Sequence, residues 1–159
     1  MTDTQKETLL STPLFRGIAP TDADALLACL APTLRDVPRD GTVFAAGDVP
    51  RRIGAVLEGE VHIVHDDYWG NRSILSVAAA GEVFGEAFAL GAAPVLPVSV
   101  LARRESRVLL FDSQRLLEVC PSPCAGHAAL LRNLIFVLAR KNITLTDKIR
   151  HITGKTTRA

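Results

Sequence analysis

From residue 34 to residue 111 apolar and polar positions alternate in short runs divided by Gly, Pro and Asp, the signature of strands with one buried face. The runs cover residues 33–37, 42–46, 53–58, 60–65, 73–77, 98–102 and 107–111. Turns are expected at Arg39-Asp40-Gly41, Ala46-Gly47-Asp48, Glu58-Gly59 and Gly70-Asn71, where Gly or Asn tolerates positive φ. On either side of this region the apolar period lengthens to that of a helix. Residues 4–10 and 21–30 read as short helices separated by Pro13 and Pro20, the second capped by Thr21 with Asp24 and carrying a stripe of Leu26, Leu27 and Leu30. After strand 107–111, Asp112 and Ser113 cap a short helix over 114–119, and Pro121 and Pro123 break the pattern. A long helix follows over about 125–152, roughly 42 Å at 1.5 Å per residue. Many short strands at regular spacing predict a mainly β barrel or jelly roll, a closed arrangement that also removes exposed sheet edges.

The long helix has the clearest periodicity. Leu131, Ile135, Leu138, Asn142, Leu145, Ile149 and Ile152 follow one another at alternating intervals of four and three, an a/d seam sustained for three heptads. Such a seam predicts a homodimer through a two-stranded coiled coil, with Asn142 at an a position selecting the parallel pairing. Leu130, Leu134 and Val137 form a separate apolar edge that would cover the β unit and leave the seam available to a partner.

Within the β region, residues 81–100 read as a ligand pocket. Gly81 and Gly85 permit tight turns and close approach of backbone to a guest, Glu86 supplies a carboxylate, and the apolar turn over 87–90 presents its first N–H groups. Pro94 and Pro97 stiffen the return into the next strand.

Composition narrows the function classes. A chain of 159 residues with 48% apolar residues suits one core. No apolar run approaches the ~20 residues that span a bilayer, and the N-terminus lacks the basic-then-apolar order of a signal peptide, so a cytoplasmic protein without membrane contact is expected. Three cysteines, an odd number, are expected to be thiols. The net charge of +1 divides unevenly: residues 1–124 hold eleven Lys or Arg against sixteen Asp or Glu, residues 125–159 seven against one. The basic end is either a solvated helix face or a segment near nucleic acid.

Gly41, Phe44, Gly47, Gly59, Val61 and Gly81-Glu82-Val83-Phe84-Gly85-Glu86, followed by two strands, a short helix and a long seam helix, resemble the Crp/Fnr family of bacterial transcription regulators. The resemblance covers nearly the whole chain. It implies an eight-stranded jelly-roll sensor (double-stranded β-helix, cyclic nucleotide-binding-like) over 1–124 and a dimerisation helix over 125–152. It also implies a C-terminal winged helix-turn-helix reached through a hinge starting at 153–159, so that DNA contact belongs to a domain beyond these residues. Lys148, Arg150, Lys155 and Arg158 then read as the start of that hinge rather than as a DNA surface.

In nucleotide-binding members of the family the Glu of this cassette binds the ribose hydroxyl, and an Arg about ten residues later pairs with the cyclic phosphate. Glu86 is present, but the matching stretch is Val95-Leu96-Pro97-Val98-Ser99-Val100, and no Lys or Arg occurs between Arg72 and Arg103. A buried phosphate without a cation carries a desolvation cost of several kcal/mol. The expected effector is therefore a small organic molecule rather than cyclic AMP, bound by Phe84, Gly85, Glu86, Ala87, Phe88, Leu90, Val98 and Ser99 with Leu134 of the long helix. It would shift the seam and act allosterically, with no catalysis.

Cys120, Cys124 and His127 place three soft or borderline ligands within eight residues at the junction with the long helix, so redox, haem or metal sensing through them is the alternative; two small hydrophobic cysteines in a helix junction and a surface His is the plain reading. A ligand-free dimerisation module is the third possibility. Cys29 reads as core on its helix stripe. His62 and His65, three apart on one strand, face opposite ways and do not make the converging histidines of a cupin enzyme. Tyr68 and Trp69 stand at a hairpin tip, as a contact patch or folded over the sheet.

Overall fold

The computed structural model describes residues 1–118 and 124–157, with side chains up to 153. Helix α1 (Asp3–Ser11) starts in a capping box formed by Thr2 and Gln5, a 3₁₀ turn follows at Pro13–Phe15, and α2 covers Pro20–Leu30. Eight strands come next: β1 (Thr33–Val37), β2 (Thr42–Phe44), β3 (Arg52–Glu58), β4 (Glu60–Asp66), β5 (Arg72–Ala79), β6 (Val83–Phe84), β7 (Ser99–Ala102) and β8 (Ser106–Asp112). Helix α3 (Glu86–Leu90) interrupts them after β6, and α4 (Ser113–Leu117) and α5 (His127–Thr157) close the chain.

The strands form two four-stranded antiparallel sheets, ordered β1-β8-β3-β6 and β2-β7-β4-β5, facing each other as a jelly roll. Strands β3 and β8 bury both faces. With side chains alternating across the pleat, Val56, Val108 and Leu110 point between the sheets, where they meet Val37, Val61 and Phe84. Ile53, Ala55, Leu57, Leu109 and Phe111 point the other way, into a second core. The N-terminal helices and α5 fill that core with Leu9, Phe15, Leu26, Leu130 and Leu134. Leu130, Leu134 and Val137 thus form the covering edge of α5 that their spacing predicts.

Several local expectations are corrected. Thr21 lies inside α2, whose first turn is opened by Pro20 without a side-chain cap, because Pro at the first helical position is preorganised and needs no N–H partner. The buried stripe of α2 is Ala23, Leu26 and Leu30, and Cys29, turned about 100° from Leu30, is exposed rather than core. In the Arg39–Gly41 turn the positive φ, 64°, belongs to Asp40. The two-residue strand β6 gives no alternation to read. Helix α5 continues through Gly154 to Thr157 where a hinge was expected from residue 153.

Asn133, buried on α5, donates from Nδ2 to the carbonyls of Leu14 and Arg16, both at 2.8 Å. These bonds fix the first half of α5 to the 3₁₀ turn. Past Val137 only Leu138 is half-buried, and residues 139–153 are exposed on every face. No helix among the described residues is long and apolar enough to cross a membrane.

Candidate functional site

The site is built where β6 passes into α3 and α5 crosses above it. Gly85, at φ 82°, is the N-terminal cap of α3, a left-handed conformation that favours glycine. It swings the next residue, Glu86, inward until only 3% of it remains exposed. Lys141 of α5 reaches down to it. Its Nζ lies 2.5 Å from Glu86 Oε1 and donates to the Val83 carbonyl at 2.7 Å. Glu86 Oε2 is buried without a hydrogen-bond partner among the described residues. A buried carboxylate oxygen left unsatisfied costs about 1–3 kcal/mol, so this atom is poised to accept from a guest.

That carboxylate lies in the wall of a cavity of 370 Å³, within the range for small-molecule sites. Of the residues singled out in the sequence, Phe84, Gly85, Glu86, Ala87, Phe88 and Val98 line it. Three do not. Ser99 is half-buried beside the cassette and its Oγ accepts from the Ala46 N–H at 2.9 Å, which ties β7 to the end of β2. Leu90 packs on the helical core, and Leu134 is buried within it, both away from the cavity.

Much of the remaining wall was not singled out for the pocket in the sequence, including Ile63, Leu75, Val77 and Ala78 from β4 and β5, with Lys141 and Leu145 from α5. Pairing of Ile63 with Ser76 and of Val64 with Ile74 leaves Leu75 as the extra residue of a bulge, and Leu75 enters the cavity wall. The cation sought within the cassette arrives instead from α5. A signal for it existed, since Lys141 and Leu145 fall one helical turn apart, but nothing in the spacing connects them with residue 86.

The seam residues behave differently from the covering edge. Leu131 and Leu138 are half-buried, and Ile135, Asn142, Leu145, Ile149 and Ile152 are exposed, together with Phe136 and Ile143. Of the Cys/His group, Cys120 lies outside the described residues. Cys124 packs against the helical core, and His127 is buried with Nε2 2.7 Å from the Leu116 carbonyl, a structural tie between α5 and α4. Among the described residues no group of three His, Cys, Asp or Glu is arranged to hold a metal ion. Tyr68 and Trp69 stand out from the β4–β5 hairpin tip, 94% and 83% exposed, rather than folding over the sheet.

The cyclic nucleotide-binding domain family model matches residues 34–122. The chain is 29% identical over 143 residues to the CRP-like cAMP-activated global transcriptional regulator of Mycobacterium tuberculosis, an alignment covering 90% of this chain and 62% of that protein. It therefore spans less than two thirds of the length of this relative. In structure it is similar to the Thermus thermophilus catabolite activator protein, with a TM-score of 0.73, 24% identity, and 89% of this chain aligned to 63% of that one. It is also similar to the sensor domain of the transcriptional regulator DNR from Pseudomonas aeruginosa, with a TM-score of 0.69, 20% identity, and 94% and 95% covered. The chain belongs to the cyclic nucleotide-binding domain family and has the sensor-domain architecture of Crp/Fnr-type regulators.

Proposed function

We propose that this chain is the effector-sensing and dimerising part of a cytoplasmic Crp/Fnr-type transcription regulator, without enzymatic activity, that controls DNA binding by a winged helix-turn-helix. The observation that carries the reading is the divided role of Glu86: one carboxylate oxygen holds Lys141 of α5 and the other is buried and unpartnered in the cavity wall. A guest that donates to Oε2 changes the charge that Lys141 sees. Leu145, the next residue on that face of α5, belongs to the cavity wall and to the a/d seam at once. Occupancy of the cavity therefore bears on the seam of a parallel homodimer through a single helical turn. The ligand acts only through its differing affinity for the two seam arrangements, and coupling of ~1–3 kcal/mol is ordinary for such a device.

Glu86 fits the ribose-binding role that the family resemblance gives it. The phosphate role has no matching residue within the cassette: Pro97 and Val98 precede Ser99, and Ser99 is engaged with Ala46. The effector is accordingly read as a small organic molecule other than cyclic AMP. A thermal-shift series with cyclic AMP, cyclic GMP and a panel of organic acids and aromatics tests this. At 100 times Kd a ligand stabilises the fold by ~2.7 kcal/mol, a shift of several degrees at this size. Response to an organic compound with silence to both nucleotides is expected; a clear response to cyclic AMP would overturn the choice of effector, and silence to everything would overturn the sensing role.

A further inference from the structure

A second hollow, also 370 Å³, shares Leu75, Ser76, Lys141 and Leu145 with the cavity described above and opens between β5 and the outer half of α5. Its remaining wall is Arg140, Thr144 and Lys148. Positions 140, 144 and 148 lie one helical turn apart, with 141 and 145 beside them, so α5 turns three cations toward one groove. No carboxylate lines that groove. Lys141 is matched by Glu86, whereas neither Arg140 nor Lys148 is in an ion pair among the described residues. Asp147, the one acidic residue of 125–159, is bound to Arg150 at 3.2 Å. Glu82, the other carboxylate of the inner cavity, is exposed and its Oε1 accepts from the Ala79 N–H at 3.3 Å.

The polarity of the two adjoining spaces is thus ordered. Deep inside stands an acceptor without a donor, Glu86 Oε2. The middle is apolar, formed by Phe84, Phe88, Val98 and Leu145. At the mouth stand two cations without anions among the described residues, beside the Ser76 hydroxyl.

Resting on the effector reading above, we propose that the ligand is an organic anion that lies along this axis. A hydroxyl at one end donates to Glu86 Oε2, and a phosphate or carboxylate at the other is held by Arg140 and Lys148 of α5. The anion is gripped by the helix and not by the strand that follows the cassette. Concave walls of one charge sign focus the field and favour such a group over water, and guanidinium and ammonium groups suit both oxyanions.

Matched probes test the inference: adenosine 5′-monophosphate against adenosine, and 4-hydroxybenzoate against 4-hydroxybenzamide, whose hydroxyl and carboxyl groups stand at opposite ends, each titrated into the 159-residue chain at fixed ionic strength. In at least one pair the anion is expected to bind ten-fold or more tightly than its neutral partner, and the pair that responds distinguishes phosphate from carboxylate. Arg140→Gln/Lys148→Gln should remove that preference while leaving the unliganded melting temperature in place, since both side chains are exposed. Glu86→Gln should weaken anion and neutral partner alike. Equal binding within both pairs, or an unchanged anion affinity in the double variant, overturns the helix grip while the cavity stands. Binding of none of the four overturns both.

Discussion

Lys141 Nζ stands 2.5 Å from Glu86 Oε1 and 2.7 Å from the Val83 carbonyl, so one cation on α5 closes over the strand β6 and the helix α3 that leaves it. Glu86 is 3% exposed while the Lys141 side chain keeps 52% of its surface, so this is a buried charge neutralised from a half-solvated one. Lys141→Met leaves that carboxylate uncompensated. We expect a loss of about 1–3 kcal/mol, below the usual value for a fully buried pair. Glu86→Leu/Lys141→Met should recover most of it, a non-additivity that denaturant melts of the single and double variants would read.

The exposed seam predicts association. Ile135→Lys/Ile149→Lys places two charges at a positions without touching the cavity, and sedimentation should show the chain shift from dimer to monomer. Asn142→Ala should change helix register or the number of associated chains; if it changes neither, Asn142 has no part in pairing.

Gly54 of β3 lies under the Phe84 ring. A Cβ added there would meet Phe84 Cζ at 2.1 Å, and Phe84 already packs at a tilt against Phe44 with ring centroids 5.8 Å apart. Gly54→Ala should therefore cost about 1–3 kcal/mol through overpacking, seen as a melting temperature lowered by several degrees. Because Phe84 also lines the cavity, the same change should weaken any ligand bound there.

The β4–β5 tip predicts a pH response. Asp66 is held below the usual carboxylate range by its hydrogen bonds to Arg72, at 2.8 and 3.0 Å. Asp67 is held down by the N–H groups of Asn71 and Trp69, at 2.8 and 2.9 Å. A carboxyl lowered in the fold contributes stability that is present above its unfolded value, about 3.9, and is lost as pH falls through the folded value. Emission from Trp69, the single tryptophan, should hold steady from pH 8 to 5 and change below about pH 4. Asp66→Asn/Asp67→Asn should remove that change, and a transition centred above pH 5 would contradict the assignment.

Much of the fold could be read from local pattern, for reasons that also explain the failures. Strands β3 and β8 are long and rich in Val, Ile and Leu, so their type is plain, and the split of α5 into a covering edge and a seam follows from counting three and four. Glu86 and its apolar neighbours were legible because Gly85 and the turn after it lie beside them in the chain. Lys141 was not, because its bond to Val83 spans 58 residues and only the crossing of α5 over the cassette creates it. Ser99 misled for a related reason: being next to the pocket in sequence does not place it in the wall, and its hydroxyl serves Ala46.

Asn133 fastens α5 near its beginning, Lys141 bonds it to the β unit about two turns further on, and the helix continues to Thr157. That makes the outer half a lever arm with its fulcrum at the contact between Lys141 and Glu86. From Lys141 to Thr157 the arm is about 24 Å long at 1.5 Å per residue, so a tilt of about 5° at the fulcrum sweeps the far end through about 2 Å. A small change of angle at that contact is therefore a displacement of ångströms at the far end of α5.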